Sequence, residues 1–126
     1  MKPDTTYNGW KNHETWLVCL WIDNEEGEYL TVLDLAREAL DYDPTERATM
    51  LADWFSDPVE GPARIRSSQA HYLGKAIRAH IEEDHAAGIA GFVADLVNAA
   101  LDSVDWDEVA DHYFDTIDEE RKAVAQ

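Results

Sequence analysis

The chain has 126 residues, a length typical of one domain, so we expect a single acidic helical domain over residues 1–126. Its 27 acidic residues against 10 basic ones give a net charge of −17, which repels nucleic acid and anionic membranes and favours cationic partners. The longest apolar run, from Trp16 to Ile22, is too short to cross a bilayer, and Cys19 has no second cysteine for a disulfide, so a cytoplasmic protein is expected.

The first predicted helix begins after Asn12, whose side chain is suited to cap a helix N-terminus. It runs through Trp16–Ile22 and ends near residue 24. Because its apolar residues point in all directions, the pattern predicts a central helix that is buried on every side. Replacing Trp16 or Trp21 by alanine is then expected to lower the free energy of unfolding by about 3–5 kcal/mol.

Two further helices are predicted before residue 60. Residues 28–40 carry apolar side chains at helical spacing, at Tyr29, Leu33, Ala36 and Leu40. The run Asp43-Pro44-Thr45-Glu46 predicts the start of the next helix, because a capping residue, a proline at the first helical position and a glutamate at the third are typical of a helix N-terminus. That helix is expected to stop before Pro58, and a loop containing Pro58, Gly61 and Pro62 follows.

The second half of the chain predicts three more helices. One begins at Ser68 and ends at Gly88, one runs over residues 91–104, and the last begins after Asp105. No segment alternates between apolar and polar residues in the way that a strand requires, so we predict an all-α fold, a compact bundle of five to six helices. The side chains predicted to face the core are Leu73, Ala76, Ile77, His80 and Ile81 in the first of these helices, Phe92, Val93, Leu96, Val97, Ala100, Leu101 and Val104 in the second, and Trp106, Val109, Ala110, Tyr113 and Ile117 in the third.

Charge is divided unevenly along this plan. Residues 1–60 carry a net charge of −10, residues 61–81 carry four bases and no acid, and residues 82–120 carry 13 acids and neither lysine nor arginine. Blocks of one sign on this scale predict opposed basic and acidic faces.

The sharpest candidate for a binding site is a row of four aspartates, Asp107, Asp111, Asp115 and Asp118, which we call the acidic row. Their spacings of four, four and three place them along one side of the last helix, and Asp95, Asp102 and Glu108 are predicted to flank them. Two antiparallel helices over residues 91–120 would span about 21 Å with ten acids, a charge density close to that of duplex DNA. These seven residues are therefore predicted to bind a partner, and an ordinary solvated helix surface is the alternative.

The same sequence offers little for catalysis. His80, Glu83, Asp84 and His85 lie within six residues, but only His80 and Asp84 share a helix face, and a closed metal site needs three or four converging ligands. We therefore predict no metal, no cofactor and no catalytic residue, and keep a metal-dependent enzyme around His80, Asp84 and His85 as a minor alternative. No nucleophile motif, phosphate-binding loop or dinucleotide motif is present, so the prediction is that the protein is not an enzyme.

Two segments resemble a known family. They are the run from Asn8 to Asn24, NGWKNHETWLVCLWIDN, and a later run that contains Asn98–Leu101 and Val104–His112. Both are similar to segments of small acidic proteins encoded by phages, plasmids and integrated elements, whose biochemical role is largely unassigned. This chain departs from that pattern at His13, where a tyrosine is usual, and at Cys19, where asparagine is common.

The resemblance implies an accessory protein of a mobile element that works in the cytosol of its host. Together with the charge, it leads to the hypothesis of an anti-restriction or anti-CRISPR type inhibitor whose DNA-like acidic helices occupy the basic groove of a host nucleic-acid-binding protein or defence complex. Direct contact with nucleic acid or membrane is not expected. The alternative is a structural or regulatory homo-oligomer, for example a homodimer, in which the basic segment of one copy meets the acidic end of another.

Overall fold

The computed structural model describes residues 6–41 and 61–125, and in this part of the chain five α-helices and no β-strand are present. The all-α prediction is confirmed. The helix predicted from Asp43 and the loop residue Pro58 lie outside the described residues. No helix among those described is both long and apolar enough to cross a membrane. The helices are α1 (His13–Asn24), α2 (Glu26–Asp41), α3 (Gly61–His85), α4 (Gly91–Ser103) and α5 (Trp106–Ala125).

Two of the predicted helix starts are confirmed by their capping hydrogen bonds. The Asn12 side-chain oxygen accepts a hydrogen bond from the backbone N–H of Thr15 at 2.9 Å, which satisfies one free donor of the first turn of α1. The Asp105 carboxylate accepts one from the backbone N–H of Glu108 at 3.2 Å and caps α5 in the same way.

Helix α3 begins seven residues earlier than predicted, at Gly61 instead of Ser68. Pro62 therefore lies in the first turn of the helix and not in a loop. A proline is tolerated there because the first-turn N–H groups have no partner within the helix and because its fixed φ already suits helical backbone. At the other end α3 stops at His85, and Gly88 adopts a φ of 86° in the turn that follows.

The core lies where α2, α3 and α5 meet. Gly74 lets α3 lie close against the start of α5. A Cβ atom at this position would lie only 2.9 Å from the backbone oxygen of Trp106 and 2.9 Å from its Cβ. The inward residues predicted for these three helices are confirmed as buried or half-buried. The largest fully buried side chains are Tyr113, Phe114, Ile22, Leu73, Ile77 and Ile117.

Helix α1 is not the centrally buried helix that its apolar composition predicts. Only Thr15, Cys19 and Ile22 are buried, whereas Leu20 and Trp21 are 39% and 37% exposed. Helix α1 packs against α2, α4 and α5, but its outward apolar residues are only partly covered: the Trp21 ring contacts the His85 ring edge-on, with 4.6 Å between centroids, and stays 37% exposed. A loss as large as about 3–5 kcal/mol is therefore not expected for Trp21→Ala, since that value applies to a fully buried ring.

The apolar side of α4 differs from its prediction even more. Phe92, Val93 and Leu96 are 76%, 54% and 55% exposed, and only Leu101 within the helix and Val104 just after it are buried. Among the described helices α4 packs mainly against α1, and only its last turn reaches the core. Helical spacing identified which residues share a side, but it could not show that a neighbour covers that side.

Candidate functional site

The acidic row lies on α5, along the side opposite the buried Val109, Tyr113 and Ile117. Three of its members, Asp107, Asp111 and Asp115, are exposed. The fourth, Asp118, is half-buried and accepts a hydrogen bond from the guanidinium of Arg66 at 2.5 Å. The fold therefore places all four aspartates on one side, and among the described lysine and arginine side chains an ion pair forms only at the Asp118 end of the row.

The middle of the row is electrostatically crowded. Partial burial raises the pKa of Asp111, and the neighbouring carboxylates of Asp115 and Asp107 raise it further. Neither Asp111 nor Asp115 forms an ion pair with any side chain that the structure describes, and Asp107 lies 3.7 Å from a histidine nitrogen of His71. The charge of Arg66 acts in the opposite direction on the pKa of Asp111, so the described part of the chain compensates the negative charge of this stretch only weakly.

The flanking acids have different surroundings. Asp102, near the end of α4, accepts a hydrogen bond from Arg78 at 2.6 Å, and Glu108 accepts one from the backbone N–H of Lys11 at 3.0 Å. Asp95 is exposed and has no ion-pair partner among the described side chains. Of the seven predicted binding residues, Asp95, Asp107, Asp111 and Asp115 therefore have carboxylates open to a partner.

The basic segment of the sequence packs against the acidic one instead of forming an opposed face. Helix α3, which carries the basic segment, packs against α5, and Arg66 there binds Asp118 of α5. Arg78 of the same helix binds Asp102 of α4. The hydrogen bond to Glu82 raises the pKa of Arg78 most, and the hydrogen bond to Asp102 raises it further, so Arg78 keeps its positive charge. Arg66 also covers the ring of Phe114, with 4.6 Å between the guanidinium carbon and the ring centroid.

The two segments that carry the family resemblance meet at the start of α1. The amide of Asn12 donates to the carbonyl of Ser103 at 2.6 Å, while the hydroxyl of Thr15 donates to Asn12 and accepts from the backbone N–H of Asp105. These bonds join α1 to the connection between α4 and α5; Thr15 is buried, Asn12 and Asp105 are half-buried, and Ser103 is exposed. The conspicuous Asn12 and Thr15 of the first segment thus hold the fold together.

A group of possible metal ligands was missed by the sequence reasoning. Glu28, in the first turn of α2, lies between His80 and His85 of α3, with ligand atoms that are all within 4.8 Å of one another. His80 does share a face with Asp84, as predicted, with 3.2 Å between His80 Nδ1 and an Asp84 oxygen. Glu28 is more than 50 residues away from both histidines in sequence, so no local spacing reveals it. The number of possible metal ligands predicted from α3 alone was therefore too small.

Comparison with known proteins adds a family but no function. No curated protein and no solved structure matches the chain. A family model with the description "Family of unknown function (DUF7249)" matches residues 3–123, which include the two segments that carry the family resemblance and the acidic row. The chain therefore belongs to this family of unknown function.

Proposed function

We propose that this is a binding protein of a phage or other mobile element, and that its acidic row contacts the basic groove of a host nucleic-acid-binding protein or defence complex. The observation that carries the proposal is the exposed, weakly compensated stretch formed by Asp107, Asp111 and Asp115 on one side of α5. A surface that only maintains solubility does not need like charges aligned at intervals of four residues, where they repel one another.

The energetics favour a cationic partner. Aligned aspartates at i and i+4 destabilise the helix that carries them; the charge of Arg66 offsets this only in part at Asp111, and neither Asp111 nor Asp115 forms an ion pair with a described side chain. A basic groove would supply that compensation, and its approach would be accelerated by the net charge of −17. Binding of this kind weakens as salt is added, because mobile ions screen both surfaces.

The internal contacts narrow the proposed interface. Asp118, Asp102 and Glu108 already bind groups of the same chain, so a partner that took them over would have to break those bonds. The contact surface is therefore assigned chiefly to Asp107, Asp111 and Asp115, and Asp95 on α4 is a further exposed candidate.

The test uses three immobilised forms of the protein in a lysate of a bacterial host. One is the parent, one carries Asp107→Asn, Asp111→Asn and Asp115→Asn, and the control carries Glu25→Gln, Glu26→Gln and Glu38→Gln. The control removes the same number of charges from exposed positions on another surface. We expect parent and control to retain a nucleic-acid-binding protein that duplex DNA releases, and the triple aspartate variant to lose it. Equal retention by all three forms would contradict the proposal.

A homo-oligomer is the second candidate. The basic segment predicted to join two copies has Arg66 and Arg78 paired within one chain, so this candidate is now supported by α4, where Phe92, Val93 and Leu96 are exposed and are not covered by any described helix. An exposed apolar surface of this kind often marks an interface. Two copies with a charge of −17 each repel one another, so association through this surface should strengthen as salt is added, opposite to binding of a basic partner. Sedimentation of the parent and of Phe92→Ser over a salt series separates the two candidates.

A further inference from the structure

We propose that Glu28, His80 and His85 form a binding site for a divalent transition-metal ion of the zinc class. His80 Nε2 lies 2.6 Å from one carboxylate oxygen of Glu28, and His85 Nε2 lies 3.0 Å from the other. The ligands come from the first turn of α2 and the last turns of α3, so two packed helices fix them. This inference does not depend on the acidic row.

The donor set suits such an ion. Two imidazole nitrogens and one carboxylate oxygen are ligands that Zn²⁺, Co²⁺, Ni²⁺ and Cu²⁺ accept, and three protein ligands leave a position for water or another group. Ligand atoms at about 2.1 Å from a tetrahedral ion lie roughly 3.4 Å apart. The separations here, from 2.6 Å to at most 4.8 Å, bracket that value and need only small side-chain rotations.

The surroundings of His80 suit a bound ion. Its Nδ1 lies 3.2 Å from a carboxylate oxygen of Asp84, while its Nε2 faces Glu28. A neutral imidazole donates at one nitrogen and an imidazolium at both, so the two carboxylates are satisfied either by a protonated ring or by a metal ion in place of one proton. With a metal ion at Nε2, Nδ1–H donates to Asp84 and the ring is oriented as in the carboxylate–histidine–zinc arrangement of many metalloproteins.

Access and burial also fit. The side chains of Glu28 and His80 are about one-fifth exposed, whereas that of His85 is 38% exposed, which gives an ion a path from solvent on the His85 side. The indole of Trp21 lies edge-on to His85, with 4.6 Å between the ring centroids. A bound ion with unpaired electrons should therefore quench part of the tryptophan fluorescence.

The test is calorimetric titration of Zn²⁺ into chelator-treated full-length protein, with Co²⁺ absorption spectra as a second measurement of ligand type. We expect a single tight site per chain in the parent. The Zn²⁺ affinity should fall by about 100-fold or more in His85→Ala and in Glu28→Gln. It should fall by about 10-fold in Asp84→Asn, because Asp84 acts only through His80. The matched control is His71→Ala, because His71 is an exposed histidine of the same helix that lies outside the cluster. The Zn²⁺ affinity of this variant should equal that of the parent.

His85 is the most exposed of the three ligands, so His85→Ala is expected to fold, and melting curves without metal check this. A further expected result is the largest rise in melting temperature with Zn²⁺ for the parent and for His71→Ala, and a smaller rise for Asp84→Asn, His85→Ala and Glu28→Gln at the same Zn²⁺ concentration. Two results would overturn the proposal. One is the absence of a tight site in the parent, which would leave an ion pair between Glu28 and the histidines. The other is equal binding by all variants, which would assign the metal to scattered surface carboxylates.

Discussion

The two sides of α5 follow different rules. On the inner side Val109, Tyr113 and Phe114 are fully buried, and the one polar atom among them, the hydroxyl of Tyr113, donates to Asp23 at 2.9 Å. On the outer side Asp111 and Asp115 lie one turn apart, and neither forms an ion pair with a described side chain. The polar atom of the inner side has its partner within the fold, whereas the repulsion between the carboxylates of the outer side is only partly offset, at Asp111, by the charge of Arg66.

Asp118 differs from the other aspartates of the acidic row because its negative charge is compensated by an ion pair with Arg66. It lies at the end of the acidic row, one turn after the buried Phe114, and Arg66 both binds it and packs on Phe114. No described basic side chain forms an ion pair with Asp111 or Asp115, and Arg66 acts on Asp111 only through its charge. The contrast separates carboxylates that stabilise the packing of α3 on α5 from carboxylates that remain open to another molecule.

The largest effect should come from the inner side. Phe114→Ala removes a fully buried ring at the contact between α3 and α5, so we expect the free energy of unfolding to fall by about 3–5 kcal/mol. Urea denaturation measures the change. A loss below about 1 kcal/mol would mean that Phe114 does not lie in a packed core.

A smaller loss is expected at the edge of the helix. Asp118→Asn removes the ion pair with Arg66, whose two side chains are 42% and 37% exposed, so solvent screening limits the loss to at most about 1 kcal/mol. A double-mutant cycle with Arg66→Gln isolates the pair. Zero coupling would show that Asp118 belongs with the open carboxylates. Because Asp118 has this role, a variant that neutralises the complete acidic row would mix folding with binding.

The smallest effect, and one of opposite sign, is expected on the outer side. The charge of Asp111 is disfavoured by partial burial and by repulsion from Asp115 and Asp107, and attraction to Arg66 offsets this only in part, so Asp111→Asn should raise the free energy of unfolding by about 0.2–0.5 kcal/mol at pH 7. The pKa of Asp111 is raised by folding, so its ionised form costs stability at neutral pH and that cost disappears as the carboxyl becomes protonated. The gain should therefore vanish below about pH 3.9, the ordinary pKa of aspartate. Thermal melts of both proteins over this pH range measure it, and a loss of stability at pH 7 would show that Asp111 has an attractive contact.

Local signals in the sequence predicted much of the fold. The caps at Asn12 and Asp105 and the inward residues of α2, α3 and α5 depend on interactions within one or two turns, which spacing and residue type report. The acidic row was predictable for the same reason, because four aspartates on one helix share a side whatever the helix packs against.

The remainder depends on contacts between distant segments. The exposed sides of α1 and α4 depend on which neighbours cover them, and the internal pairing of Arg66 and Arg78 depends on how α3 meets α4 and α5. Glu28 joins His80 and His85 only because α2 packs beside the end of α3. Composition and periodicity contain no information on such neighbours, so these features required the structure.

The most direct test of the central proposal is the affinity for the partner that duplex DNA releases from the parent protein. It should be measured for the parent, for the triple variant of Asp107, Asp111 and Asp115, and for the charge-matched control at about 50 mM and about 200 mM salt. We expect the parent and the control to bind tightly and to weaken steeply with salt, while the triple variant binds weakly at both concentrations with a flatter dependence. A triple variant that binds as the parent does at both salt concentrations would contradict the proposal and remove the outer side of α5 from the interface.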